Sequence, residues 1–566
     1  MLPAPNDYYR TSSSGHPPLR LGLLLDSTET VPAFVAAIIE ELNATNFARI
    51  ELVVAAGVTD RRLTEQKISV QASNSGTKNS WLYDFYLKNL DARMKPERDP
   101  LAQVDSKTLF AGIDVVRVPA EAVERIQSKE LDVLLLFEFE KLSGEILQAA
   151  RYGVWALRHG DPDFYSGKPP LFWELHDGSP LSGVALQILR DDPAGDPILG
   201  KSLFATEQTL SVSRNRCIPY WASKDLLLRK LHDLHQFGWE HVLANAIPPA
   251  PSGKKRGPDR SPTNAEMVGW LGPILIKKTA VYPFRKEMMA HWRVAIRMNA
   301  RPLYEPDSDG SGFRWIEPPC GHAWADPFIF EQAGKYWLFF EDYVYEKKRA
   351  GIACAEISPQ GELGPVLPCF DHPLRHYSYP HVFRAGSEIF MIPESFDSDS
   401  VDLYRCVEFP HRWRVETTLL AGKFVDTTVW NQDGLWWLAT TSADPAPGAG
   451  ALFLYYAESL TGEWKFHPMN PICTDIRRNR GAGRVFRSQN RLIRPSQSCA
   501  PTYGYSITWN EITELSTERY AERPLKTLGP EHWKGLTGVH TYNCAGNFEL
   551  IDGQTPRPLR SLLSKR

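Results

Sequence analysis

The sequence predicts two folds in one chain: an N-terminal α/β domain with a Rossmann-like parallel sheet, followed by a C-terminal five-bladed β-propeller. Two observations predict it. In roughly the first third of the chain, short apolar strands alternate with helical segments, which is typical of a parallel sheet covered by helices. In the second half, a strand–turn–strand unit returns at intervals of about 45–60 residues, the spacing of four-stranded propeller blades.

Composition bounds the class of protein. The chain has 566 residues, enough for several domains, and its net charge of -3 argues against nucleic-acid binding through overall electrostatics. Its eight cysteines are scattered without a Cys-x-x-Cys pair, which is typical of reduced thiols. No apolar run of about 18 residues is present, and residues 1–18 lack the apolar core of a signal peptide. The sequence therefore predicts a cytoplasmic protein with a disordered tail over residues 1–18.

The α/β domain is predicted over residues 19–215. Leu19–Ser27 is apolar and is predicted to be its first buried strand, and Pro32 lies in the first turn of the helix that follows. Further strands are predicted within residues 49–57, 112–119, 131–139 and 152–160, and a polar insertion over residues 59–103.

One segment of this domain resembles a known family. Pro169–Leu189, PPLFWELHDGSPLSGVALQIL, together with Pro32–Phe34, is similar to the N-terminal domain of folate-dependent formyltransferases such as methionyl-tRNA formyltransferase. The resemblance covers about residues 20–201. It implies transfer of a formyl group to an amine by an Asn, a His and an Asp.

The implied catalytic residues are matched only in part. The His falls on His159, whereas the Asn falls on Leu157 and the Asp falls near Ala194. A leucine cannot donate a hydrogen bond to the oxyanion of the reaction, so formyl transfer and a folate cofactor are not expected. His159 and Asp161 follow the carboxyl end of a predicted parallel strand, where α/β folds bind ligands. They are predicted to be a ligand site, with a loop histidine that contacts solvent or a neighbour as the alternative.

Residues 216–285 are predicted to be a helical, Pro/Gly/basic linker. Ser223 is a candidate N-cap for an amphipathic helix. His232 and His235 lie one turn apart on that helix and are predicted to be surface residues rather than a metal pair. The segment Pro248–Thr263 is rich in proline, glycine and basic residues, as linkers are.

The propeller is predicted over residues 286–566. Its repeat has the period-2 alternation, aromatic residues and tight turn of a β-hairpin. His291–Arg297 has strand character, and it is predicted to start the propeller or to complete its last blade with Asn547–Ile551, which would leave no free sheet edge. The five copies lie at Gly321–Asp342, Pro380–Glu394, Val425–Ser442, Ala482–Ser498 and, in degenerate form, Gly535–Asn543.

Three carboxylates are predicted to be catalytic. Alignment of the copies on their aromatic residues puts Asp326 and Asp426 at the same place in blades one and three, and Glu394 ends the second strand of blade two. Because the innermost strands of a propeller line its central funnel, these acids are expected to meet there. Chemistry at an anomeric carbon needs one acid to donate or accept a proton and another to stabilise an oxocarbenium-like centre. The alternative for each Asp is to cap a turn.

Further residues are predicted to bind substrate in the same funnel. Arginines suit a phosphate or a carboxylate, so a nucleotide-sugar donor is a candidate cofactor. No metal site is predicted. The predicted substrate-binding residues are Trp324, Glu341, Asp342, His381, Arg480, Arg484, Arg494 and His540, with core packing as the alternative for the tryptophan.

The repeated motifs WADPFIF…WLFFED, SYPHVF…IPES and VDTTVW…WWLATTS carry a second resemblance, over about residues 291–553. They are similar to the five-bladed propellers of furanosidase-type glycoside hydrolases. They resemble more closely the propeller that precedes the transferase domain in plant glucosamine inositolphosphorylceramide transferases. The hydrolases place an Asp in blades one and three, which implies Asp326 and Asp426. Their acid Glu lies in blade four, where this sequence has Arg494–Gln497, so the acid implied here is Glu394.

The favoured function is a glycosyltransferase of cell-surface polysaccharide or glycolipid biosynthesis, with its site in the propeller funnel. Its substrate would be a sugar or a glycan, and membrane-bound biosynthetic machinery is a candidate partner for peripheral association. Three alternatives stay open. The first is a furanosidase-type glycoside hydrolase, although this sequence lacks the blade-four Glu of that class. The second is an amino-sugar N-formyltransferase with a sugar-binding propeller, although this sequence has Leu157 in place of the Asn. The third is a non-catalytic glycan-binding scaffold.

Overall fold

The structure of the protein is a computed structural model. It describes residues 8–55, 69–70, 80–117, 122–137, 142–165, 168–191, 195–248, 258, 260–281, 288–298, 300–370, 374–395, 397–443, 450–558 and 561–562. The chain divides into two compact units, one ending at Ala280 and the other beginning at Val281. No helix in the described ranges has the length and hydropathy needed to cross a membrane.

The N-terminal unit is built on a seven-stranded sheet, which confirms the predicted Rossmann-like α/β fold. Five of its strands are parallel, and the last two in the chain run antiparallel at one edge. In sheet order the strands are β11 (Ile198–Ala205), β10 (Leu181–Ile188), β9 (Val154–His159), β7 (Val133–Leu136), β1 (Leu19–Leu25), β3 (Ala48–Ala55) and β6 (Asp114–Arg117). Two short antiparallel pairs join β2 (Thr30–Pro32) to β5 (Gln103–Asp105), and β4 (Ser69–Val70) to β8 (Leu142–Ser143).

Seven α-helices accompany this sheet in the described residues. Helix α1 (Ala33–Asn43) follows Pro32, as predicted, and buries an apolar stripe that includes Phe34 and Ile39. The others are α2 (Trp81–Asn89), α3 (Ala122–Ser128), α4 (Phe172–His176), α5 (Val212–Phe237), α6 (Trp239–Ala244) and α7 (Asn264–Val281), with short 3-10 helices at Asp91–Arg93 and Glu145–Gln148. A further 3-10 helix, Pro530–His532, lies in the C-terminal unit.

Helix α5 begins earlier than the sequence predicted. Its N-cap is Ser211, whose Oγ accepts a hydrogen bond from the Arg214 amide at 3.1 Å, whereas Ser223 is buried within the helix and donates to the Tyr220 carbonyl. The helix packs on β10 and β11. The structure therefore places residues 216–237 inside the α/β unit rather than in the predicted linker. Most of Pro248–Thr263 lies outside the described residues.

The histidines of α5 hold the N-terminal segment. His235 Nδ1 lies 2.7 Å from Ser12 Oγ, and His232 Nε2 lies 3.1 Å from the Thr11 carbonyl oxygen. Ser12 Oγ also donates to Gln236 at 2.7 Å. Residues 8–18 are thus bound to the α/β unit, which corrects the predicted disordered tail over this part, while residues 1–7 lie outside the described ranges. Both histidines are buried, in contrast to the predicted surface position.

The C-terminal unit is a five-bladed propeller, as predicted. Blades one, two, three and five are four-stranded antiparallel sheets, and in blade four two short strands share the inner position. Blade one has β14 (His322–Gln332), β15 (Lys335–Val344), β16 (Arg349–Ile357) and β17 (Leu367–Phe370). Blade two has β18 (Ser378–Ala385), β19 (Glu388–Glu394), β20 (Ser400–Glu408) and β21 (Arg412–Ala421), and blade three has β22 (Phe424–Gln432), β23 (Leu435–Ser442), β24 (Leu452–Ala457) and β25 (Lys465–Phe466). Blade four has β26 (Arg480–Gly481), β27 (Phe486–Ser488), β28 (Arg491–Ser498), β29 (Ser506–Leu515) and β30 (Tyr520–Leu528).

Blade five joins the two ends of the propeller. Its strands are β31 (Tyr542–Ala545), β32 (Phe548–Pro558), β12 (Met288–Met298) and β13 (Arg314–Ile316), in that order. Strands β12 and β32 pair antiparallel from Met288↔Pro558 to Met298↔Phe548. This pairing realises the second of the two predicted roles for His291–Arg297, and it removes the free edges that an open ring would expose.

Candidate active site in the propeller

The inner strands of blades one, two and three carry the same β-bulge. Register shifts occur at Ala325/Phe328 and at the equivalent places in the next two blades, and the bulged residues Asp326, Tyr379 and Asp426 have φ of 50°, 46° and 53°. Positive φ is rare for residues other than glycine, and it concentrates at functional sites. The predicted equivalence of Asp326 and Asp426 is therefore present in the backbone, and Tyr379 is the blade-two member that the sequence prediction missed.

Asp326 is enclosed by donors from two other blades. Its Oδ2 accepts from the Tyr379 amide at 3.1 Å, and its Oδ1 accepts from Thr541 Oγ1 at 2.7 Å. His540 Nε2 lies 3.6 Å from the same Oδ1. Burial raises the pKa of Asp326, the facing His540 lowers it, and nearby carboxylates raise it again. The direction that results is upward, so Asp326 binds a proton more readily than an exposed aspartate.

Asp426 and Glu394 meet at one arginine. Arg480 Nε donates to Asp426 Oδ2 at 2.6 Å, and its Nη2 lies 3.9 Å from Glu394 Oε2. The Asp426 amide donates to Glu394 Oε2 at 3.0 Å, and Gln497 Nε2 donates to Asp426 Oδ2 at 3.2 Å. Burial and the Asp426 carboxylate raise the pKa of Glu394 well above its usual range, more than the Arg480 charge lowers it. Glu394 therefore binds a proton more readily than an exposed glutamate does.

Two aromatic residues near this cluster were missed in the sequence. The Tyr503 ring lies 5.1 Å from the Arg480 guanidinium and 5.6 Å from the His540 ring, yet the residue is 47% exposed. Trp292 stacks on His540 with ring centroids 4.1 Å apart. Because Tyr503 touches the buried cluster on one side and solvent on the other, it marks the open end of the funnel. No repeated pattern in the sequence pointed to either residue.

The second strand of blade one contributes one acid on each side of the site. Glu341 Oε1 lies 3.3 Å from His376 Nε2, and although burial lowers the pKa of His376, the contact with Glu341 raises it above its usual value. Asp342 instead bonds to His322 Nδ1 at 2.7 Å and to Trp324 Nε1 at 3.0 Å. Asp342 and Trp324 therefore form a pair of their own, apart from the contacts that link Asp326, Glu394 and Asp426.

Four of the predicted substrate-binding residues have structural partners outside this cluster. Trp324 is 5% exposed and packs in the apolar core with Phe340. The His381 Nε2 lies 3.0 Å from the Val429 carbonyl oxygen, and burial lowers the pKa of His381 to about 3. The list is completed by Arg484, which donates to the Ile329 and Val382 carbonyls, and Arg494, which pairs with Glu522 at 2.7 Å. Of the predicted arginines, only Arg480 contacts the predicted catalytic acids.

Contacts of the Tyr379 side chain join the inner strands beside the acids. The Tyr379 hydroxyl lies 3.0 Å from Thr428 Oγ1, and it contacts both the amide and the carbonyl of Gly483 at 2.8 and 3.1 Å. Its ring packs edge-on against Phe328 at 4.9 Å. These four residues, which we call the floor, tie the inner strands of blades one to three to blade four.

Gly483 tests how tightly the floor is built. Its φ is 124°, and a Cβ at this position would overlap the carbonyl oxygen of Tyr542. We therefore expect Gly483→Ala to destabilise the propeller by about 1–3 kcal/mol, because backbone strain and overpacking both act there. Urea unfolding followed by tryptophan fluorescence measures the change. Gly334→Ala is the control for positive φ alone, because a Cβ at Gly334 meets open space; an equal loss in both variants would contradict the tight floor.

The closing blade adds a fourth acid, Asp552. Asp552 lies fully buried, and its Oδ2 is 2.6 Å from His540 Nδ1. Asp326, His540 and Asp552 each offer an oxygen or nitrogen within 4.8 Å of the others, a set that could hold a metal ion. Burial lowers the pKa of His540, but the Asp552 and Asp326 carboxylates raise it to about 9. At neutral pH the imidazole is therefore protonated, and a metal would have to displace that proton.

The two residues of the predicted ligand site in the N-terminal unit, His159 and Asp161, contact other side chains of the same unit. His159 stacks face to face on Tyr220 with ring centroids 3.5 Å apart, and its Nε2 is buried without a hydrogen-bond partner. Burial lowers the pKa of His159 to about 3. Asp161 pairs with Lys201 at 3.1 Å. A cavity of about 620 Å³ lies at the opposite, amino end of β9, where Gly153 contributes to its wall.

The residues implied for formyl transfer fit no better. Leu157 pairs with Leu186 inside the sheet, so no amide stands where the resemblance implied an asparagine. Ala194 lies outside the described residues. Tyr220 covers one face of His159.

The fold and the site define a five-bladed propeller whose funnel holds a cluster of carboxylates around one arginine. Residues 318–547 match the family model described as glucosamine inositolphosphorylceramide transferase 1, N-terminal. Curated proteins named glucosamine inositolphosphorylceramide transferase 1 are similar over the same region: 33% identity over 227 residues in Oryza sativa subsp. japonica, and 32% over 226 residues in Arabidopsis thaliana. Each match covers 38% of this chain and 30% of the relative. These matches confirm the predicted resemblance of the propeller.

Solved structures show only distant likenesses. Glycinamide ribonucleotide transformylase 1 from Symbiobacterium toebii matches with 14% identity and a TM-score of 0.27, over 43% of this chain and 98% of that one. The catalytic domain of the Coprinopsis cinerea GH62 α-L-arabinofuranosidase matches with 12% identity and a TM-score of 0.33, over 46% of this chain and 97% of that one. The architecture given above rests on the strand pairing of this chain itself.

Proposed function

We propose that this protein is a carbohydrate-active enzyme, a glycosyltransferase of glycolipid or cell-surface polysaccharide biosynthesis that acts in the propeller funnel. The observation that carries the proposal is the convergence of acids from different blades: Arg480 contacts Asp426 and Glu394, and the same bulge presents Asp426 and Asp326. The relatives' printed name describes a transferase of glucosamine and inositolphosphorylceramide, which supports a sugar and a glycolipid as substrates. A cytoplasmic location and a peripheral membrane association stay predictions.

The acids suit different steps of glycosyl chemistry. Glu394, which retains its proton, would donate that proton to the oxygen of the leaving group. Asp326, facing the imidazolium of His540, would present a carboxylate to the anomeric carbon or remove a proton from the acceptor. Asp426 is paired with Arg480, and its amide donates to Glu394, so it would hold Glu394 in place.

The charges of the clustered side chains indicate which kind of substrate the site favours. Arg480 is the only arginine of the predicted set in the cluster, and its charge is matched by Asp426 at 2.6 Å. Arg484 and Arg494 have partners elsewhere, so the predicted arginine cradle for a phosphate is not formed. A funnel with more carboxylates than cations favours a neutral or cationic sugar over an additional anion. The nucleotide-sugar donor therefore stays a prediction that no phosphate contact supports.

One observation favours a second candidate, a non-catalytic glycan-binding domain. Both Asp326 oxygens already accept hydrogen bonds from the protein, and Asp426 Oδ2 accepts two. Such acids can serve to hold the blades together. In addition, the curated relatives extend far beyond the region that this chain matches.

Turnover and binding separate these candidates. The full chain is incubated with nucleotide sugars plus glycolipid acceptors, and separately with aryl furanosides, and the products are read by mass spectrometry. Sugar transfer supports the proposal, hydrolysis supports the furanosidase alternative, and a thermal shift with glycans but no product supports the binding domain. Stabilisation by a folate would restore the formyltransferase alternative.

The proton on Glu394 has a measurable consequence for stability. Because its pKa is raised in the folded state, the unfolded chain ionises this group first, from about its ordinary value of 4.5 upward. The native protein should therefore lose stability relative to Glu394→Gln as pH rises above 4.5, and the difference should level off once the folded group also ionises. Melting temperatures of both proteins across pH 4–9 test this. A difference that is constant with pH would show that Glu394 ionises normally and is not the proton donor.

A further inference from the structure

The closing strand of the propeller carries a buried acid that the sequence analysis did not single out. Asp552, in β32, has no exposed surface. Its Oδ1 accepts from the amides of His540 and Thr541, both at 3.0 Å, and its Oδ2 accepts from the Asp326 amide at 3.0 Å. One carboxylate thus fixes the segment before β31 and the bulge of β14, which belong to blades five and one.

His540 stands between this acid and the proposed catalytic one. Its Nδ1 lies 2.6 Å from Asp552 Oδ2, in a charge pair that is not an aligned hydrogen bond, and its Nε2 lies 3.6 Å from Asp326 Oδ1. Trp292 covers one ring face, and Tyr503 approaches the ring edge-on. The charged groups that act on His540 are the carboxylates of Asp552, Asp326 and Asp426.

Thr541 completes the connection. Its amide is held by Asp552, and its Oγ1 donates to Asp326 Oδ1 at 2.7 Å. Asp326 Oδ1 therefore faces two donors, a hydroxyl and an imidazolium, whose positions both depend on Asp552. A hydroxyl and a cation on one oxygen stabilise the ionised form of a carboxylate and fix its direction.

We propose that Asp552 is a positioning residue for the reaction: it orients His540 and Thr541, which together fix the direction of the Asp326 carboxylate. The kinetic part of this inference rests on the proposed function. Asp552 itself does not touch the open funnel. Asp552 lies on β32, the strand that pairs with β12 to close the ring. The closure of the ring and the orientation of Asp326 therefore depend on the same residue.

The geometric part is tested without a substrate. In the full chain labelled in its histidine side chains, the NMR signals lost in His540→Gln identify His540. We expect the His540 ring signals to shift in Asp552→Asn, because the carboxylate beside Nδ1 and the acceptor of the His540 amide have changed. Unchanged His540 signals in a folded Asp552→Asn protein overturn the proposal.

A second variant pair avoids the folding role of Asp552. Thr541→Val removes the hydroxyl donor to Asp326, and Thr541→Ser keeps it. We expect Thr541→Val to lower kcat by about tenfold with KM unchanged, because Asp326 loses the donor that fixes its direction. Thr541→Ser should keep the native kcat. Equal kcat values for the two variants overturn the positioning role. If Asp326→Asn keeps full turnover, the funnel is not the site and the kinetic part fails with it, while the His540 NMR signals decide the geometric part on their own.

Discussion

Replacing Asp326 by Asn is expected to abolish turnover and to leave the propeller folded. The amide keeps the size of the carboxylate, and its oxygen can still accept from the Thr541 hydroxyl or the Tyr379 amide. The side chain loses the ability to take up a proton or to face a positive anomeric centre. A positioned acid or base typically contributes about 10²–10⁴-fold in rate, so kcat should fall by about that factor.

The measurement needs an acid of the same kind outside the cluster as its control. Asp402 lies in blade two, where it accepts hydrogen bonds from Ser400 and Thr418. Asp402→Asn should keep its activity, and both variants should retain the melting behaviour of a folded propeller. Since burial raises the pKa of Asp326, removing its charge should not destabilise the chain at neutral pH. Activity retained in Asp326→Asn would remove the funnel as the reaction site.

The propeller architecture could be predicted from the sequence because the strand–turn–strand repeat occurs in it five times. Each copy carries strand alternation, an aromatic centre and a turn, and these local signals determine a blade without knowledge of its neighbours. The pairing of β12 with β32 could also be predicted. The first and last strands of the propeller would each leave an unpaired sheet edge, and pairing with each other removes both edges. The acids followed from the same repetition, since equivalent positions in equivalent blades share a place around the axis.

Side-chain partners could not be predicted in the same way. Arg484 aligns with His381 in the sequence, yet its guanidinium reaches the carbonyls of Ile329 and Val382. Arg494 occupies the place of the missing blade-four Glu but pairs with Glu522, 28 residues later in the chain. Sequence alignment predicts the position of a residue along a strand. It does not predict which group a long side chain contacts, because that group becomes a neighbour only when the blades pack together.

Some missed residues did leave a signal. Tyr379 precedes Pro380 as Asp326 precedes Pro327, so the aligned motifs contained the third bulge position, although a tyrosine among acids did not suggest it. Asp552 lies in the closing strand, but nothing local shows that its neighbours in space would be three backbone amides and an imidazole. Likewise Ser223 and Ser211 are equally good caps by type, and the helix begins at the first of them because packing against the sheet extends it.

Removing the charge of Arg480 is expected to have the largest effect on stability. Arg480 is 4% exposed, and it is the cation between Asp426 and Glu394. Breaking a buried pair by deleting one partner typically costs about 3–5 kcal/mol, because the remaining charge is left without compensation. Arg480→Met keeps much of the side-chain volume, so urea unfolding of this variant should report mainly the lost charge.

The double variant decides whether the loss is electrostatic. If Arg480→Met destabilises because it strands the Asp426 carboxylate, then Arg480→Met/Asp426→Asn should recover a large part of the lost free energy, and the two changes should be strongly non-additive. If the loss comes from packing against Tyr503 instead, the double variant should be no more stable than Arg480→Met. The first outcome means that the acids of blades two and three are held together by a single cation. The second would mean that they are near one another only because the strands are, and the argument for a shared reaction site would lose its main support.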